Sequence, residues 1–302
     1  MTKTRLSAWI GSLLLGTAAL ANASPAQPLS DAPALSLDEL QLAAAIRSQQ
    51  ALPDLVVDLD DRVDDLTVRV LARRYGVRFV ADSSYVGHDR IYRVFIDKTG
   101  DQASRLSSLL RALRHDPLVE AADLELLYQI PETAPGALTS DDRAGRIPAS
   151  SESPKPADRD GKPRFQPSDP KYRYQWHLDQ INMPEAWMLS RGQGVTVAVI
   201  DTGVTKVEDL HGTELVPGWN FVNDNPDAQD DHGHGTHVAG TIAQTTDNGI
   251  GVAGVAPHAR IMPIKVLSGS GSGSVAGIAE GIRWAADHGA QVINMSLGGP
   301  FN

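Results

Sequence analysis

Asp201 closes the apolar run Val195-Thr-Val-Ala-Val-Ile200, and three histidines follow in the stretch His232-Gly-His-Gly-Thr-His-Val-Ala-Gly240. A carboxylate leaving a buried strand can fix the tautomer of an imidazole and stabilise its protonated form, which makes that imidazole a general base. The pair reads as the acid and base of nucleophilic catalysis, in which the third member is a serine. Two rival chemistries use the same residue types. Asp201-Thr-Gly203 is also the triplet of aspartic proteases, but two carboxylates must then share a proton, and the chain holds one such triplet. His232, His234 and His237 together suggest zinc, yet a metalloprotease helix carries His at i and i+4 with a Glu between, and neither feature is present.

The elements that must position these residues alternate between strand and helix. Strands are expected at 195–200, 219–222, 261–266 and 291–296, and helices at 234–244 and about 275–288, with Gly289 as a stop; a further helix starts near Pro184 and ends before Gly192. Such alternation implies a doubly wound parallel sheet, whose reactive groups gather at the carboxyl ends of the strands. His237 is expected to turn toward the packed side of its helix. By composition alone Ser268-Gly-Ser-Gly-Ser-Gly-Ser274 is a flexible linker, but it sits between a strand and a helix.

Residues 52–130 follow a different order, strand, helix, strand, strand, helix, strand, which is the ferredoxin-like arrangement. Leu66, Val70 and Leu71 form the first helical stripe, and Leu106, Leu109, Leu110 and Leu113 the second. Val119 to Tyr128 closes the unit as one strand. Residues 131–166 are rich in Pro and Gly with little apolar periodicity, a linker whose Arg143, Arg146 and Arg164 offer sites for cleavage.

At the other end, Lys3 and Arg5 precede an apolar run from Ala8 to Leu20 and then Ala21-Asn22-Ala23, the order of a secretory signal peptide over 1–23. Its interrupted run falls short of the roughly 20 apolar residues of a membrane span. Residues 24–51 read as a spacer. The 302 residues include no cysteine, so disulfides and thiol chemistry are excluded and stability must come from packing or bound ions. A formal charge of −10, without a basic stripe, argues against nucleic acid as a partner.

Several stretches resemble the subtilases, the subtilisin-like serine proteases of peptidase family S8. They are Val195 to Val204, His234-Gly-Thr-His-Val-Ala-Gly-Thr-Ile-Ala243, Gly249-Ile-Gly-Val-Ala-Gly-Val-Ala-Pro257 and Ile293-Asn-Met-Ser-Leu-Gly-Gly-Pro300. The resemblance implies a subtilisin-like domain beginning at 167, with Asp201 as the orienting acid, His234 as the base and His237 as structural. It implies that an extended polypeptide substrate lies between Gly271, Ser272 and Gly273 on one side and Ser296, Leu297 and Gly298 on the other. The unit at 52–130 resembles the inhibitory propeptides that precede such domains, and thus implies an intramolecular partner. No cofactor is implied for catalysis; a structural calcium is, on Asp169, Asp209, Asn248, Ile250 and Val252. Asp224, Asp227, Asp230 and Asp231 form an acidic loop that reads either as a second ion site or as a solvated surface.

The family's oxyanion Asn and Gly-Thr-Ser turn do not occur within the 302 residues. The expectation is a secreted, extracellular or periplasmic, serine endopeptidase precursor that ends inside its catalytic domain and is inactive as written. The competing reading is a non-catalytic secreted inhibitor or chaperone of a protease, joined to a vestigial peptidase domain.

Overall fold

The computed structural model describes residues 54–84, 90–96, 102–130 and 164–299. The expected signal peptide at 1–23, the spacer at 24–51 and nearly all of the linker at 131–166 lie outside the described residues. The chain divides into two compact units, at 1–126 with 300–302 and at 127–299.

The first unit runs β1 (Leu55–Leu59), α1 (Asp65–Tyr75), β2 (Val77–Ala81), β3 (Ile91–Ile96), α2 (Gln102–Arg114) and β4 (Val119–Leu124). Its sheet has the order β2-β3-β1-β4 with every neighbouring pair antiparallel. α1 begins where the Asp64 carboxylate accepts from Thr67 N at 2.8 Å, and it stops at Gly76, whose φ of 63° suits a residue without Cβ. Leu106, Leu109, Leu110 and Leu113 are all buried against the sheet, as their spacing predicts. The stripe expected on α1 is wrong in part. Leu66 and Val70 are exposed, and Val68 joins Leu71 in the core. The expected closing strand also breaks: β4 ends at Leu124, and Leu127–Gln129 forms a separate strand, β5, that belongs to the second unit.

In the second unit a 3-10 turn (Tyr172–Tyr174) leads to α3 (Trp176–Gln180) and α4 (Met183–Ala186), which is shorter than the helix expected from Pro184. The rest runs β6 (Thr196–Asp201), β7 (Trp219–Asn220), α5 (His234–Ala243), β8 (Arg260–Lys265), β9 (Ser272–Ser274), α6 (Val275–Asp287) and β10 (Val292–Asn294). β10, β6, β8 and β7 lie side by side in that order as a parallel sheet. α5 covers the face that carries Val197, Val199 and Ile261, while Gly281 of α6 faces Ile264 and Val266. Every residue of β6 is buried, as a central parallel strand requires. No helix of the described residues is long and apolar enough to cross a membrane.

Candidate active site

The last residue of β6 and the first of α5 meet. His234 Nδ1 lies 2.8 Å from Asp201 Oδ1 and 3.0 Å from Oδ2, with the carboxylate fully buried and the imidazole 13% exposed. Thr202 N also donates to Asp201 Oδ1, at 2.7 Å. A buried carboxylate facing Nδ1 calls for the proton there, which leaves Nε2 as the nitrogen that can accept one. The approach depends on Gly235: a Cβ there would stand 2.2 Å from the carbonyl of Gly203 and 3.1 Å from Asp201 Cβ. No side chain fits that gap.

The start of α5 is tied to both loops of the pair. Its Gly235 N donates to Thr202 Oγ1 at 2.9 Å, and Thr236 N to Asp230 Oδ2 at 2.9 Å. Asp230 further accepts from His232 N, Gly233 N, Thr202 Oγ1 and Thr236 Oγ1. Thus Asp230 serves the helix as a cap from outside it. Burial pushes its carboxyl up, but the hydrogen bonds from Thr236, Gly233 and His232 outweigh this and hold it below the ordinary value.

A carboxyl depressed on folding contributes stability that is present above its unfolded pKa and lost as pH falls through its folded one. Asp230→Ala is therefore expected to reduce the unfolding free energy by about 2 kcal/mol at pH 7. The deficit should shrink below the carboxylate range, where the wild type loses the same advantage. Denaturant titrations at pH 7 and pH 3 read both; equal midpoints at pH 7 would refute the capping role.

Of the residues expected to bind substrate, Gly271, Ser272, Gly273 and Gly298 come together around a piece of this same chain. β5 pairs antiparallel with β9, Leu127 opposite Ser274, Tyr128 opposite Gly273 and Gln129 opposite Ser272. On the other side Gln129 N donates to Gly298 O at 2.8 Å and Gly298 N to Gln129 O at 2.9 Å. Ile130 N then donates to Gly271 O at 3.0 Å, and the Ile130 side chain is 1% exposed. The Ser/Gly stretch is consequently a strand edge. Gly273 admits no Cβ, which would fall 2.1 Å from Val266 O. Ser296 is engaged elsewhere, its Oγ accepting from Asn294 Nδ2, and Leu297 is half-buried.

The five residues expected to hold calcium also converge. Asn248 bridges two buried carboxylates, its backbone N donating to Asp169 Oδ1 at 3.2 Å and its Nδ2 to Asp209 Oδ1 at 2.9 Å. Val252 N and Gln244 Nε2 donate to Asp209 Oδ2, and Ile250 N to Asn248 Oδ1. Among the described residues neither carboxylate has a Lys, Arg or His partner. Two buried anions met only by amides suit a hard cation.

His237 is exposed, against expectation, because the packed face of α5 is Gly235, Ala239, Gly240 and Ala243, and position 237 lies off that row. Sequence reasoning did not assign Thr202, Asp230 or Lys265 to the site. An Asp shortly before a helix was the available signal for Asp230; a lone lysine closing an apolar strand gave none.

Residues 192–301 match the model of the subtilase family. The chain is 44% identical over 137 residues to thermitase of Thermoactinomyces vulgaris, a match covering 45% of this chain and 49% of that protein. It is 48% identical over 126 residues to subtilisin Savinase of Lederbergia lenta, covering 41% of this chain and 45% of that protein. The chain thus spans about half the length of these curated relatives, or less. Fervidolysin of Fervidobacterium pennivorans, described as a keratinolytic enzyme related to subtilisin, shares the fold at a TM-score of 0.54 and 24% identity over 82% of this chain and 36% of that one.

Proposed function

We propose that this chain, whose residues 192–301 match the subtilase family, represents a secreted serine endopeptidase precursor. In this reading residues 1–23 are a signal peptide removed on export, 52–130 an inhibitory ferredoxin-like propeptide, 131–166 the linker cut on maturation, and 167–302 sequence of the catalytic domain. The observation that carries the reading is the Asp201–His234 pair, 2.8 Å apart where a buried parallel strand meets a helix. The β2-β3-β1-β4 order of the first unit supports the propeptide assignment.

His234 Nε2 takes the proton of a serine hydroxyl as it attacks the peptide carbonyl, and returns it to the leaving amine. Asp201 keeps the imidazole in the required tautomer and stabilises the imidazolium. The serine and the oxyanion donor are not among these 302 residues, so a polypeptide limited to them is expected to show no turnover. Substrates are extended polypeptides that add a strand between β9 and residues 296–298. The β5 ladder supports this: Tyr128 to Ile130 occupies that groove as a substrate strand would, which is also how a propeptide tail blocks it.

The test is the complete protein, assayed for casein hydrolysis and for labelling by a fluorophosphonate. Both are expected, and both should vanish in His234→Ala. A folded, mature wild type that neither cleaves nor labels would sink the proposal.

Asp169, Asp209, Asn248 and the carbonyls of Ile250 and Val252 would hold a calcium ion, which supplies structural charge compensation and no chemistry. Binding to the native state alone adds about 2.7 kcal/mol when free ion is 100 times its dissociation constant. Melting is expected to rise in calcium over chelator; an unchanged melting temperature removes calcium from the account.

A further inference from the structure

Lys265, the last residue of β8, is 2% exposed and takes no part in the chemistry above. An ammonium has three donors, and burying it is costly unless all are used. Here they go to three different parts of the site: Thr202 O at 2.7 Å, Leu267 O at 2.8 Å and Asp231 Oδ1 at 2.6 Å. Thr202 follows the acid and donates to it. Asp231 stands in the loop that leads to the base, beside the cap Asp230. Leu267 precedes the segment that becomes β9. Lys265 also sits directly across the ladder from Asp201, whose carbonyl accepts from Val266 N and Leu267 N.

We propose that Lys265 is a positioning residue for the catalytic pair, its ammonium clipping the loop of the acid, the loop of the base and the start of the substrate edge to one point. Each tie alone is weak against the entropy of a loop, but one buried head that serves three segments couples their positions. A shift in any of them moves His234 relative to Asp201. Only an amine or guanidinium at the end of a long stem can do this; a methionine fills the volume and leaves two carbonyls and a carboxylate without their donor.

The structural half of the inference can be read on the 302-residue chain itself, and only its kinetic half rests on the serine-protease reading. In proton NMR at acid pH, the Nδ1 proton shared by His234 and Asp201 is expected far downfield, as in other short charge-assisted hydrogen bonds. Lys265→Met should abolish that resonance or move it upfield while amide dispersion persists, and Lys265→Arg should restore it. Should Lys265→Met fail to fold, Asp231→Ala decides, since that side chain is 58% exposed and removing its carboxylate releases the clip from the loop of the base alone. In the complete protease, Lys265→Met is expected to lower kcat about 10- to 100-fold, with a smaller change in KM. An unaltered resonance in a folded Lys265→Met or Asp231→Ala variant, or no such resonance in the wild type, overturns the proposal. A complete wild-type protein without proteolysis would instead refute the proposed function and leave the NMR result to stand.

Discussion

On the proposed function, Asp201→Asn in the complete protein is expected to lower kcat by about 10⁴, the size of effect that follows when this pair is broken in a serine protease without disturbing its shape. The asparagine occupies the same volume, and its Oδ1 can still accept from Thr202 N. What changes is the face toward His234. A carboxylate there accepts a proton-bearing Nδ1 through either oxygen, at 2.8 and 3.0 Å; an amide presents one oxygen and one NH2. With the oxygen held by Thr202, the NH2 takes the Oδ2 position 3.0 Å from Nδ1 and demands a lone pair from it, and the oxygen that stays near Nδ1 no longer carries the charge that stabilises the imidazolium. The proton moves to Nε2, where the base must be empty. Because Asp201 is fully buried and makes none of the hydrogen bonds that hold Tyr128 to Ile130 between β9 and Gly298, KM should stay within a few-fold. Steady-state kinetics on a peptide substrate give both constants, and a loss of less than tenfold in kcat would show that Asp201 does not set the tautomer.

Asp201 was legible because the nearly all-apolar run before it reads as a buried strand, and a carboxylate at the end of such a strand needs a partner. The α2 stripe was legible for a similar reason: its four leucines fall on one narrow face. On α1, Leu66, Val68, Val70 and Leu71 spread over a wider arc, and periodicity alone does not say which part of it the sheet will cover. His237 shows the same limit, since its spacing from the base does not say that the packed row of α5 is Gly235, Ala239 and Ala243, a row on which position 237 does not lie. The break at Glu125 and Leu126 has no turn residue to announce it. It exists because Leu127 to Gln129 finds a different partner, β9, and pairing between distant segments leaves no local trace. The acidic loop shows the limit in another form. Asp230 and Asp231 are indistinguishable by type, yet one caps a helix and the other neutralises a buried lysine.

On the proposed function, residues 52–133 added to the mature enzyme are expected to inhibit it, and Ile130→Asp in that segment should weaken inhibition by at least about 100-fold. The backbone ladder from Tyr128 to Ile130 supplies sequence-independent affinity, while the Ile130 side chain supplies the buried apolar contact: its Cδ1 would lie 2.9 Å from a Cβ built on Gly271. At 1% exposure an aspartate there must either ionise without a partner or be protonated at a cost, and either outcome opposes docking. Gln129→Pro is the complementary change, since it removes the N–H that meets Gly298 O and leaves that carbonyl unpaired. Its effect should be smaller, about tenfold for one hydrogen bond. The two variants separate side-chain burial from strand addition. Inhibition constants against the mature enzyme measure both, and an Ile130→Asp segment that inhibits as well as the wild type would mean that the groove between β9 and Gly298 is not where the tail acts.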